Sequence, residues 1–230
     1  MQYFTKQFTP YYSDCRNPTL MKITIDVQPI LGKKSGVGQY IWGLIHGLGE
    51  IDHQNSYFLS FFDFKRRGSL VPLPGNNFSH QKCFLPGRAA SLSWKTLAWP
   101  SYNFFFGESD IFHFPNFVIR PVKRAKKVVT IHDVSFLRFP EFAEPKNLKF
   151  LKNQIHKTVE AADQIITDSH FTEEELIYFF PAAKQKVSTV HLGVDARFKA
   201  LPVKREKISY SSGILNREKT CPAFLKPLKY

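Results

Sequence analysis

Short apolar runs alternate with amphipathic stretches along most of this chain. Ile23 to Val27 is the first run, and the loop after it ends in Ser35-Gly36-Val37-Gly38. Apolar residues then fall at Val37, Tyr40, Ile41, Leu44, Ile45 and Leu48, a spacing that lines one face of an α-helix. Tyr57 to Phe62 and Phe78 to Leu85 read as the second and third strands, separated by a polar loop with Arg, Gly and Pro. Ala89 to Phe106 is apolar and aromatic, with Pro100 placed to break or kink a helix. Asp110 to Phe114 is a strand ended by Pro115. Lys127 to Ile131 is the clearest strand, apolar and β-branched through its middle as a buried parallel strand should be.

The second half keeps the alternation. After an aromatic loop from Val134 to Glu144, Pro145 suits a helix's first turn, and Leu148, Leu151, Ile155, Val159 and Ala162 form a helical stripe. Gln164 to Thr167 is another short strand. Thr172 with Glu175 predicts a capping box for a helix that stops at Pro181, and Lys186 to His191 is the last strand of the series. Strands alternating with helices predict a Rossmann-like α/β fold, a parallel sheet with helices on both faces. Phe198 to Lys207 is charged and contains Pro202, so it reads as a linker.

In such a sheet the polar residues at the strands' carboxyl ends meet in one crevice. Three strand ends carry them: the glycine loop at Gly36, Val37 and Gly38; His113, with Pro115 and Asn116 behind it; and the pair His132-Asp133. A helix N-terminus has unpaired N–H groups and partial positive charge, and glycine lets a phosphate approach it. The same glycines equally serve a turn that joins strand to helix. The loop is not a P-loop, because Gly36 is followed by Val37 and no GK[ST] comes after it. A dinucleotide fingerprint lacks its third glycine, whose place Ile41 takes, although Asp63 sits where a ribose-binding acid would. A lone histidine is more often structural than catalytic. A His-Asp pair directly after a buried strand is harder to explain as core, and Asp133 either orients His132 or caps the loop.

Composition narrows the classes. The chain has 230 residues, enough for one sizeable domain, and 23 phenylalanines that suggest aromatic-rich packing or an apolar binding surface. No apolar run reaches the ~18 residues of a membrane-spanning helix. Cys15, Cys83 and Cys221 are scattered, with no metal-ligand spacing, which predicts a reduced, cytoplasmic protein without a metal. The net charge of +13 points to anionic partners: phosphates, nucleic acid or an acidic membrane surface. Nucleic-acid binding rests on charge alone, without a helix-turn-helix, RNP or zinc signal, and is disfavoured.

The segments ITIDVQPI…SGVGQY, DIFHFPN, KVVTIHDVSF, ADQIITDSHFT and VSTVHLGVDARF, in this order, resemble the N-terminal half of the retaining GT-B glycosyltransferases of family 4, over about Met21 to Phe198. The resemblance implies transfer of a hexose from a nucleotide sugar to a glycan or lipid-linked acceptor with retention, with no cofactor beyond that substrate. It implies that Gly36, Val37 and Gly38 face the donor diphosphate, that His132 and Asp133 line the sugar site, and that His113, Asn116 and Ser169, the serine that opens the next helix, lie on the acceptor side. Together with the polar, turn-rich start and the charged linker, it divides the chain into four segments. Residues 1–20 are a disordered extension, 21–198 the acceptor-side domain, 199–207 a linker, and 208–230 the start of a donor-binding domain in which Arg217 and Lys219 approach the family's basic positions. Ser209, Ser211 and Ser212 stand where a buried strand should be apolar, and the family's glutamate motif is missing. The chain therefore reads as truncated, inactive alone, or one half of a split enzyme whose other chain supplies the donor domain. A non-catalytic glycan-binding or partner domain is the alternative.

Overall fold

A computed structural model describes residues 20–32, 35–67, 71–96, 99–143 and 145–194. One parallel sheet is built from β1 (Lys22–Asp26), β2 (Ser56–Phe62), β3 (Phe78–Cys83), β4 (Ile111–Phe114), β5 (Lys126–Ile131), β6 (Gln164–Thr167) and β7 (Val187–Thr189). Their spatial order is β3-β2-β1-β4-β5-β6-β7, so the winding reverses between β1 and β4. A crevice at the carboxyl ends of the strands is expected at that reversal. The connecting helices are α1 (Gly36–Ile51), α2 (Gly87–Thr96), α3 (Tyr102–Phe106), α4 (Ser135–Arg138), α5 (Pro145–Ala161) and α6 (His170–Phe179). This is the Rossmann-like fold that the alternation predicts.

Register assigns side chains to faces. Ile25 pairs with both Leu59 and His113, and His113 pairs with Val128. These side chains therefore share one face, and so do Thr130 and His132 at steps of two along the same line. That face carries α1, whose Ile41 and Ile45 are fully buried against Ile25, Val27 and Leu59. Each such side chain contributes about 1.5–3 kcal/mol relative to exposure. Gly49 lets α1 approach the β2–β3 loop, since a Cβ there would stand 2.8 Å from Pro74 Cβ. The opposite face carries Phe112, Phe114, Val129, Ile131 and Ile165, packed by α3, α5 and α6 through Phe106, Ile155 and Leu176. Tyr102 of α3 fills the reversal point, its ring 4.5 Å from Phe106, 5.8 Å from Phe112 and 5.4 Å from Phe114. Part of the phenylalanine content is thereby core; Phe64, Phe84 and Phe104 remain exposed.

Two local expectations change. The helix after β6 begins one turn earlier than Thr172 and Glu175 predict: Ser169 is its N-cap, and its Oγ accepts the Thr172 N–H at 3.2 Å. Glu175 is drawn away from any capping role by Arg138 of α4, which donates to it. The aromatic loop from Val134 is not irregular throughout, because Asp133 Oδ1 accepts from Ser135 N at 3.1 Å and Ser135 Oγ at 2.7 Å and so nucleates α4. The segments 1–19 and 195–230, with Arg217 and Lys219, lie outside the described residues.

Candidate active site

The ends of β4, β5 and β6 and the first turns of α1 bring five polar side chains into one connected line. Asp168 follows β6, and its Oδ2 lies 2.7 Å from Nδ1 of His132, which follows β5. The other ring nitrogen, Nε2, is 3.1 Å from the Pro115 carbonyl at the end of β4. Both ring nitrogens thus face acceptors, and the ring is held at both edges. Tyr40 of α1 meets the ring edge-on, with centroids 4.8 Å apart. The Tyr40 hydroxyl lies 3.1 Å from Thr130 Oγ1, and His113 Nε2 lies 2.9 Å from the same oxygen. Thr172 of α6 donates to the His132 carbonyl at 3.2 Å.

Burial separates the two histidines. His132 keeps 22% of its side chain exposed, whereas His113 is 8% exposed. Burial pushes the His113 ring down to about 4, with the neighbouring His132 adding to the effect, so His113 is neutral at physiological pH. Burial pushes the Tyr40 hydroxyl up, and the nearby Asp168 carboxylate adds to that. His113 therefore supports the site from below. Asn116 is exposed beyond β4, and Ser169 Oγ is occupied by the α6 cap. Of the two roles open to Asp133, it takes the cap. The residue that orients His132 is Asp168, which the sequence reading did not single out as a site residue. Its one signal was its position, directly after the last residue of a buried strand, as His132 is. The second oxygen of Asp168 is buried with no hydrogen-bond partner among the described residues.

The N-terminus of α1 lies beside this line. Ser35 is its N-cap, and its Oγ accepts the Gly38 N–H at 3.2 Å. Gly38 is buried, and a Cβ there would stand 3.4 Å from the Pro29 carbonyl oxygen, at ordinary contact distance. Among the described residues none would lie within 4 Å of a Cβ at Gly36, which leaves that end of the helix open to an anion.

On the other face of the sheet, at the same edge, a cavity of about 510 Å³ opens between the ends of β1 and β2 and the start of α2. Asp26, Arg67, Arg88, Trp94 and Arg120 are among its lining residues. Burial pushes the Asp26 carboxyl up, while Arg120 and the Gln28 N–H pull it back. Among the described residues no three His, Cys, Asp or Glu side chains are arranged to hold a metal ion, and no helix is long and apolar enough to cross a membrane.

A strand-end histidine fixed by a carboxylate and an open helix N-terminus thus lie on the α1 face, and a polar cavity lies on the other face at the same edge. The family model of Glycosyltransferase Family 4 matches residues 34–198, which is most of the chain. The chain belongs to Glycosyltransferase Family 4. Over 189 residues it is also 25% identical to the O-antigen chain mannosyltransferase B of Escherichia coli, an alignment that covers 77% of this chain and 49% of the relative. The chain thus spans about half the length of the curated relative it matches. Within this family 4 domain, the line from Asp168 to His113 falls inside the matched region.

Proposed function

We propose that this domain forms the acceptor side of a glycosyltransferase that moves a hexose from a nucleotide sugar to a glycan or lipid-linked acceptor with retained configuration. Family membership supports the class, and the observation that carries the reading is His132 clamped between Asp168 and the Pro115 carbonyl, beside the open N-terminus of α1. In this reading the exposed part of the His132 ring packs against the sugar, and Asp168 and the Pro115 carbonyl hold the ring in place for that contact. Gly36 and the free N–H groups of the first α1 turn stabilise negative charge that develops on the departing diphosphate. Gly38 gives its N–H to the Ser35 cap and so leaves the diphosphate to the residues before it. Asn116 lies on the acceptor approach. Catalysis is then chiefly positioning and electrostatic stabilisation. The donor wall is contributed from outside residues 21–198, by a following domain or a separate chain. The relative's printed name makes mannose the first sugar to try. The basic face of α5, with exposed Lys149, Lys152 and Lys157, fits an anionic membrane that presents a lipid-linked acceptor at the inner face of the cell.

The test is a chimera that joins residues 1–198 to the C-terminal half of the E. coli relative, assayed with a nucleotide-linked mannose and a glycan acceptor. Retaining transfer is expected, and His132→Ala should lower kcat about 100-fold. Transfer with unchanged kcat in His132→Ala removes His132 from the site. Acceptor binding without transfer in the chimera favours the non-catalytic glycan-binding reading.

A further inference from the structure

The cavity between β1, β2 and α2 is not used by the His132 site. It lies on the opposite face of the sheet, where Asp26 and Phe62 point, while His132 and Thr130 share the α1 face. Its charge is unbalanced: Lys65, Arg67, Arg88 and Arg120 line it against two carboxylates, Asp26 and Asp63. Asp63 Oδ1 already accepts the Arg67 N–H, and the Arg67 guanidinium donates to the Leu31 carbonyl at 3.2 Å. Arg120 acts electrostatically on Asp26 and pulls its carboxyl back down. The first turn of α2, at Gly87 and Arg88, opens onto the same space and adds its partial positive charge. Gly87 allows that turn to sit against Phe62, because a Cβ there would be 3.2 Å from the Phe62 ring.

The polar floor and the aromatic wall give the cavity a second character. Asp26, at the end of β1, accepts from the Gln28 N–H at 3.0 Å and still faces the cavity, so it can accept from a ligand hydroxyl. Arg120 stands over the Trp94 ring at 5.2 Å from its centroid, which fixes a guanidinium at the wall. Phe64, 62% exposed, stands at the rim. A volume of about 510 Å³ takes a sugar ring with a phosphate or diphosphate.

We propose that this cavity binds a phosphate-bearing saccharide, with the phosphate set against Arg88, Lys65 and the α2 N-terminus and a sugar hydroxyl against Asp26. The proposal deepens the acceptor-side reading and rests on it. It predicts that the acceptor is anionic at its reducing end, and a lipid-linked sugar diphosphate or a free sugar phosphate supplies the same chemistry.

Calorimetric titration of the whole chain tests it with glucose, inorganic phosphate, glucose 1-phosphate and glucose joined through a diphosphate to a farnesyl tail. Saturable binding of both phosphorylated sugars is expected, with glucose and inorganic phosphate at least about tenfold weaker. Arg88→Gln, at an exposed position that leaves the fold alone, should weaken both phosphorylated probes about tenfold, and Arg120→Gln should do the same. Tighter binding of the farnesyl probe identifies the lipid-linked source, and equal binding identifies the free sugar phosphate. Absence of binding by both, affinity untouched in both variants, or inorganic phosphate binding as tightly as glucose 1-phosphate overturns the proposal. A chimera that transfers sugar while its phosphate binding fails sinks the cavity assignment alone; phosphate binding without transfer sinks the acceptor-side reading alone.

Discussion

His113 makes the folded domain sensitive to acid in a defined window. Its ring is 8% exposed, bonded to Thr130 Oγ1, and held at about 4 by burial. In the unfolded chain a histidine titrates near 6.5. The folded value is the lower one, so between these values the unfolded state binds the extra proton. Stability is therefore complete above about pH 6.5 and is lost as pH falls towards 4. The gap corresponds to about 3.4 kcal/mol in full, and to about 2 kcal/mol between pH 7.5 and pH 5. The perturbation is His113→Gln, whose amide reaches Thr130 but does not titrate. Urea unfolding of both chains, followed by tryptophan fluorescence at the two pH values, isolates the effect, because every other titrating group is common to both. The parent chain should lose about 2 kcal/mol more than the variant on acidification. Equal losses would mean that the ring is solvated or already charged in the folded state, and the account of His113 as a neutral buried support would fall.

Four further outcomes follow from the same structure. Asp168→Asn keeps the shape of the contact with His132 but removes its charge, so in the chimera kcat should fall about tenfold or more while KM for acceptor holds. In the same variant the Tyr40 hydroxyl should titrate lower than in the parent, read by its ultraviolet absorbance, because the Asp168 charge helps to raise it. Gly49→Ala should destabilise by about 1–3 kcal/mol by denaturant unfolding, since its Cβ would meet Pro74 at 2.8 Å; Gly43→Ala, with nothing within 4 Å, should stabilise by about 0.5–1 kcal/mol.

The sheet was legible because parallel strands buried on both faces must be apolar without interruption, and Ile23 to Val27, Lys127 to Ile131 and Gln164 to Thr167 are close to that pattern. The observed strands fall within a residue or so of these runs. Helix starts were less legible: a serine and a threonine three residues apart both qualify as caps, and only the backbone of Ser169, at φ −150 and ψ 152, decides between them. The His132 partner was not legible from adjacency. Asp133 is next in the chain, but successive residues at a strand end point apart, whereas Asp168 is 36 positions away, directly after the neighbouring strand. The cavity was invisible for a related reason, since Asp26, Arg88 and Arg120 belong to three separate segments and none forms a motif alone.

The glycine loop shows how one sequence feature divides once packing is known. Gly36 and Gly38 read alike, as two positions that let a phosphate approach the helix. In the fold the Gly38 N–H is already bonded to Ser35 and Gly38 is buried against Pro29, so it belongs to the scaffold. Only Gly36 opens onto space. A methyl group at Gly36 would therefore crowd a bound diphosphate without touching the described residues, while one at Gly38 would lie against Pro29, away from the diphosphate. In the chimera, Gly36→Ala should raise KM for the nucleotide sugar at unchanged stability. An unchanged KM would show that the diphosphate lies elsewhere and would leave His132 and Asp168 as the site's only assigned groups on the α1 face.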